Sequence, residues 1–207
     1  MTEIKRPRLI VAITGASGVI YGVRLLETLK NQPVETHLVI SKAAEMTLGY
    51  ETDFKTADVR ALADVNHAAS DVGASISSGS FKTLGMVIAP WSVRSMSELA
   101  SGVTTSLLTR AADVVLKERR RLVMMLRETP LHSGHLRNML ALSEMGAIIA
   151  PTVPGFYANP QSVDDIVDHS VGRVLDLFDL ESGKVKRWRE KTGTKHKKQR
   201  GQPRDNS

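Results

Sequence analysis

Hydroxyls and cations recur where the apolar runs of this 207-residue chain end. Leu9 to Ile13 is followed at once by Thr14-Gly15-Ala16-Ser17-Gly18, and Thr36 to Ile40 ends in Ser41-Lys42. Met86 to Ala89 leads through Pro90-Trp91 into Ser92-Val93-Arg94-Ser95, and Leu122 to Leu126 runs into Arg127-Glu128. Hydroxyl donors and positive charge gathered at such points suit a phosphorylated ligand better than a neutral one. Glycines at 15 and 18 let the backbone approach an anion, and the amides and dipole of a helix that starts there favour negative charge. Ser17 and Ser41 also stand where helix caps are expected.

The elements that position these residues follow from periodicity. Each apolar run of four to six residues reads as a buried strand, and the stretches between carry helical spacing. Ile20, Val23, Leu26 and Leu29 form one helical stripe, and Leu107, Leu108, Ala111, Val114 and Val115 form another within a helix expected over 104–118. Further helices are expected over 43–49, 56–63, 93–100 and 133–145. Ser162-Val163-Asp164-Asp165 resembles a capping box and opens a last helix expected to reach Leu180. The small, polar stretch from Asp64 to Phe81 reads as irregular loop with at most a short strand. Pro151 to Pro160 reads as a stiff loop around Gly155-Phe156-Tyr157. Strands alternating with helices predict an α/β, doubly wound, mostly parallel sheet in a three-layer Rossmann or flavodoxin-like architecture. Ligands bind such sheets beyond the carboxyl ends of the strands.

Composition narrows the chemistry. The chain has no cysteine, which excludes disulfides, thiolate metal sites and a thiol nucleophile. Its six histidines show no metal-ligand spacing and no Asp-rich cluster is present, so no metal is expected. The first apolar run ends after five residues, too short for a signal-peptide core or a membrane span, and a cytoplasmic protein is expected. The net charge of +6 is concentrated between Gly183 and Arg204, where ten Lys and Arg face a single acid, Glu190. We read residues 1–182 as one domain and 183–207 as a basic, disordered tail without a specific nucleic-acid partner.

A nicotinamide reductase is the first class to weigh, because Thr14-Gly15-Ala16-Ser17-Gly18 looks like a dinucleotide loop. That class places an acid at the end of the second strand to bind the ribose, but Ser41-Lys42 stands there. A Tyr-x-x-x-Lys pair is also missing, since Leu25, Phe54 and Gln161 follow Tyr21, Tyr50 and Tyr157 at that spacing.

A different set of blocks carries a resemblance. Thr14 to Gly18, Ile40 to Ala44, Glu51-Thr52, Arg110 to Glu118, Arg127 to Leu131, His135-Leu136 with Asn138 to Leu140, and Pro154 to Tyr157 followed by Pro160 to Asp165 together resemble the UbiX flavin prenyltransferases. That family includes the small subunits of hydroxyarylic acid decarboxylases, and the likeness runs from Leu9 to Trp188. Trp91 stands where the family usually has Cys, Leu126 where it has Pro, and Arg137 where it often has Glu.

The resemblance implies an enzyme that joins a dimethylallyl group, taken from dimethylallyl phosphate, to N5 and C6 of reduced FMN. The prenylated FMN then serves a UbiD-type decarboxylase. By motif position Gly15, Ala16, Ser17, Ser41, Ser92, Val93, Arg94, Ser95 and Arg127 would bind FMN, while Tyr157 and Arg173 would bind the prenyl donor. Arg110, Lys117 and Glu128 match polar positions around the same site, and the family forms dodecamers with sites between subunits. Breaking an allylic C–O bond leaves negative charge on the phosphate, which Arg and Lys stabilise, and positive charge on the allyl carbon, which a π-face can stabilise. Trp91 and Tyr157 are the candidate rings; Glu51 is the candidate proton-moving carboxylate and Ser17 the candidate contact at the flavin edge. Two other readings compete with this one: a flavin-dependent cysteine decarboxylase of the same fold, and a non-catalytic flavin-binding accessory subunit.

Overall fold

The computed structural model describes residues 6–188. Six strands form one sheet: β1 (Arg8–Ile13), β2 (Glu35–Ile40), β3 (Val65–His67), β4 (Gly85–Trp91), β5 (Arg121–Leu126) and β6 (Ile148–Ile149). They lie in the order β3-β2-β1-β4-β5-β6 and every pairing is parallel. The order reverses between β1 and β4, which makes their carboxyl ends the topological switch point where doubly wound sheets hold ligands.

The run Leu9–Ile13 is continuously apolar because both of its faces are covered. Leu9, Val11 and Ile13 pack into one core with α1 (Ile20–Leu29) and α7 (Val163–Asp176), while Ile10 and Ala12 pack into a second on the other face. Helices α4 (Val93–Ala100) and α5 (Leu107–Lys117) supply that second core, and α6 (Ser133–Glu144) packs against α4. Helices α2 (Lys42–Glu51) and α3 (Thr56–Arg60) follow β2.

Most expected elements are present, with informative shifts at their ends. Helix α5 starts at Leu107 rather than Thr104, because Ser106 and Thr109 form a reciprocal capping box. Helix α7 opens on the expected box of Ser162 and Asp165 but stops at Asp176 instead of reaching Leu180. The stretch Asp64 to Phe81 holds only β3 and one 3-10 turn.

Trp91 departs most from its expected place. Strand alternation would put it on the face of Val87 and Ala89, yet one extra residue between Ile88 and Trp91, against the pairs Met124 and Leu126 on β5, shifts the register. The ring therefore turns to the face of Met86 and Ile88 and is wholly buried, at 0% exposure. The expectation that Trp91 offers a π-face to a substrate is corrected here, since a ring enclosed in this core shows no face to a cleft. The basic tail is also partly redrawn. Its described portion lies against the domain, where Lys186 Nζ donates to Ala158 O at 3.0 Å and the Arg187 guanidinium grips both oxygens of Asp176. The remainder of the expected tail, 189–207, lies outside the described residues.

Candidate active site

Thr14 joins the two loops at the switch point. Its hydroxyl donates to Pro90 O at 2.8 Å and accepts from Ser92 N at 2.9 Å, locking the turn after β1 to the turn after β4. Ser41 N donates to Ile13 O and brings the end of β2 alongside. Gly15 is needed for this closeness, because a Cβ there would lie 2.5 Å from that of Ala43.

Three helices begin at the resulting cleft. Ser41 caps α2 by accepting from Ala44 N, Ser92 caps α4 by accepting from Ser95 N, and Ser106 caps α5 by accepting from Thr109 N. The cleft measures about 350 Å³ and is lined by Gly15, Ser41, Lys42, Ala43, Ser92, Arg94, Ser95, Thr105 and Ser106, among others. Each capping hydroxyl uses a lone pair on the helix, Ser92 also donates to Ser95 Oγ at 3.2 Å, and each helix N-terminus adds partial positive charge. Arg94, paired to Glu98 at 3.2 Å, and Lys42 add full charges. This donor set suits a phosphorylated ligand such as FMN.

The amide cradle predicted at the start of α1 is filled from within the chain. Glu51, at the far end of α2, places Oε2 where it accepts from Gly18 N at 2.7 Å and Val19 N at 3.3 Å. Its carboxylate is the anion at that helix N-terminus. Ser17 is half-buried in the same turn and is not a helix cap, since Val19 holds that position in α1. Ala16 and Val93 are half-buried beside the turns that carry them.

A second cleft, of about 320 Å³, opens between the loop after β6 and α7. Tyr157, His169, Ser170 and Arg173 are its polar lining, with Met125, Pro151 and Val153 on the apolar side. Arg173 is held by Asp176 at 2.6 Å, and Asp176 is shared with Arg187. The Tyr157 ring meets Trp188 edge-on at 5.5 Å.

The structure thus brings together Gly15, Ser41, Ser92, Arg94 and Ser95 in one cleft, and Tyr157 and Arg173 in another. The remaining candidates stand apart from both linings. Arg127 is exposed beyond β5, Arg110 pairs with Asp113 at 2.7 Å, Lys117 pairs with Glu118, and Glu128 accepts from Thr129 N. Two contributors escaped the sequence reading. Ser106 was readable from its Ser-x-x-Thr box, and His169 from its four-residue spacing to Arg173 on α7. Among the described residues no group of three or more His, Cys, Asp or Glu gathers as for a metal ion, and no helix is long and apolar enough to cross a membrane.

Known proteins are similar to this chain in sequence and fold. The family described as Flavoprotein matches residues 1–175. Flavin prenyltransferase UbiX of Escherichia coli (strain K12) is 61% identical over 172 residues, which cover 83% of this chain and 91% of that protein. A crystal structure of AnUbiX (PadA1) in complex with FMN and dimethylallyl pyrophosphate superposes with a TM-score of 0.88 at 51% identity, covering 89% of this chain and 98% of its own. A dodecameric FMN-dependent Ubix-like decarboxylase from Escherichia coli O157:H7 gives a TM-score of 0.86 at 52% identity, covering 87% and 98%.

Proposed function

The chain belongs to the UbiX-type flavin prenyltransferase family, and from that premise we propose that it transfers a dimethylallyl group from dimethylallyl phosphate to reduced FMN in the cytoplasm. The product is prenylated FMN for a UbiD-type decarboxylase. The observation that carries the reading is the convergence of three capped helix N-termini on one cleft at the switch point, two of whose caps, Ser41 and Ser92, the prenyltransferase resemblance assigns to the flavin.

When bound, the reduced flavin supplies nucleophilic N5 and C6. The chain does the rest. Ser41, Ser92, Ser95 and the amides behind them hold the FMN phosphate and orient the ring, with Val93 and Arg94 beside it and Gly15, Ala16 and Ser17 along its edge. Tyr157 and Arg173 hold the donor phosphate and stabilise the charge that grows on it as the C–O bond breaks. Glu51, one hydrogen bond from the Gly18 amide, holds or moves the proton at the flavin edge.

The same reading makes the protein a homo-oligomer whose sites are completed by neighbouring subunits, in keeping with the dodecameric relative. It accounts for Arg110, Lys117, Arg127 and Glu128, which are polar, matched to the family motif and outside both clefts of a single chain. The test is direct. Protein mixed anaerobically with reduced FMN and dimethylallyl phosphate should release a flavin heavier by one prenyl unit. Recovery of flavin of unchanged mass, with FMN demonstrably bound, overturns the activity.

A further inference from the structure

His169 lies on α7 with only 8% of its surface exposed, yet it takes no part in the chemistry described so far. Its Nε2 is 3.3 Å from the Tyr157 hydroxyl, and the two rings meet edge to face at 5.5 Å. Both line the second cleft, as does Arg173 one helical turn further on. The loop carrying Tyr157 is shaped to the imidazole. A Cβ on Gly155 would come within 2.9 Å of His169 Cε1 and 3.2 Å of the Tyr157 ring, so a larger residue there would push the imidazole or the phenol aside.

The Tyr157 ring is held edge-on between Trp188 and His169, but those ring contacts do not decide where the hydroxyl proton of this half-exposed residue points. The hydrogen-bond inventory sets the direction. A phosphate offers only acceptors, so the phenol must give its single proton to the phosphate. Its oxygen is then free to accept, and His169 Nε2–H is the donor within reach. With the opposite tautomer the phenol would donate to His169 and turn a lone pair toward the anion, which repels it.

We propose that His169 is a positioning residue for the donor-phosphate site: it donates from Nε2 to the Tyr157 oxygen and so aims the phenol proton at the phosphate beside Arg173. This rests on the prenyltransferase reading of the second cleft.

The test compares His169→Gln, His169→Phe and His169→Glu with wild type in the anaerobic prenylation assay, reading KM for dimethylallyl phosphate, kcat and retained FMN. Gln keeps a donor and should stay within about twofold of wild type, while Phe keeps the ring but loses the donor and should raise KM about 3- to 10-fold with little change in kcat. Glu offers only acceptors beside an anion and should fare worse than Phe. In a Tyr157→Phe background, His169→Phe should add nothing, because the hydroxyl it serves is gone. An unchanged KM in His169→Phe, or an equal further loss in the Tyr157→Phe background, overturns the proposal. If His169→Phe loses FMN through misfolding, the Gln and Glu pair decides, since the two are alike in size and differ in donor capacity; equal activity of that pair overturns it. Wild-type enzyme that makes no heavier flavin overturns instead the function on which the proposal rests.

Discussion

Glu51 accepts twice from backbone, at Gly18 N and Val19 N, and so holds the position that a bound anion takes in many strand-turn-helix loops. The consequence is a division of labour among helix ends. The N-terminus of α1 is satisfied internally, and those of α2, α4 and α5 face the open cleft. The Gly15–Gly18 turn was legible in the sequence as an anion cradle, but its occupant was not, because Glu51 comes from 33 residues downstream and nothing local links the two. Glu51→Gln tests both roles of the side chain. The amide oxygen can still accept from Gly18 N, so FMN retention should be largely intact. Loss of the charge at a helix N-terminus should lower stability by about 0.3–1 kcal/mol. Prenylation should slow by two orders of magnitude or more if the carboxylate moves a proton, since positioned acid–base groups contribute about 10²- to 10⁴-fold. Wild-type turnover in the variant removes Glu51 from the mechanism.

At the scale of elements, the strands and caps were readable because they depend on local pattern. The runs from Leu9 and from Leu122 are apolar on both faces, and Ser41, Ser92 and Ser162 cap the helices that follow them. What local pattern could not give is a register shift, and the extra residue before Trp91 moved a ring from a predicted ligand face into the core. Trp91→Ala should therefore act on folding and cost about 3–5 kcal/mol, measured by denaturant unfolding; a stable variant with selectively impaired donor binding would restore the ligand role. Cross-strand polar networks were likewise invisible. Glu35 on β2 accepts from Arg8 Nε and His37 Nε2, both at 2.9 Å, and His37 Nδ1 lies 3.0 Å from His67 Nε2 on β3. An ionised Glu35 can only accept, so His37 donates to it from Nε2 and accepts at Nδ1 from His67. Burial first, and the neighbouring His37 second, hold the His67 pKa below its ordinary 6.5, with Asp71 opposing them. Below about pH 6.5 the unfolded chain binds a proton at His67 that the folded chain refuses, so stability falls as pH drops, by at most about 1.4 kcal/mol per pH unit for one proton. His67→Gln keeps a donor toward His37 and removes the titration. Its unfolding free energy should lose that part of the slope between pH 6.5 and the lowered folded value, and a slope identical to wild type would show that another group carries it.

The whole molecule leaves apolar surface without cover in the single chain. Helix α6 exposes Leu136 and Leu140, one turn apart and 53% and 60% exposed, and Phe156 in the loop before α7 is 77% exposed. Apolar side chains repeated at helical spacing on an outer face give a partner surface something to bury. In the assembly proposed here the surface that covers them is another copy of the chain, which also gives the motif residues outside both clefts a neighbour's site to complete. Replacing Leu136 and Leu140 together by Glu puts two charges on that face. On the free surface of a helix such a change is nearly neutral, but in a subunit interface each unpaired buried charge is costly, and several kcal/mol per contact is enough to dissociate an oligomer. The double variant should keep its helical circular dichroism and sediment as smaller species than wild type. If sites are shared between subunits, prenylation should fall in step with assembly, even though no residue of either cleft has changed. A double variant that sediments as wild type excludes this face from the interface, and one that dissociates yet prenylates at full rate shows that a single chain holds the complete site.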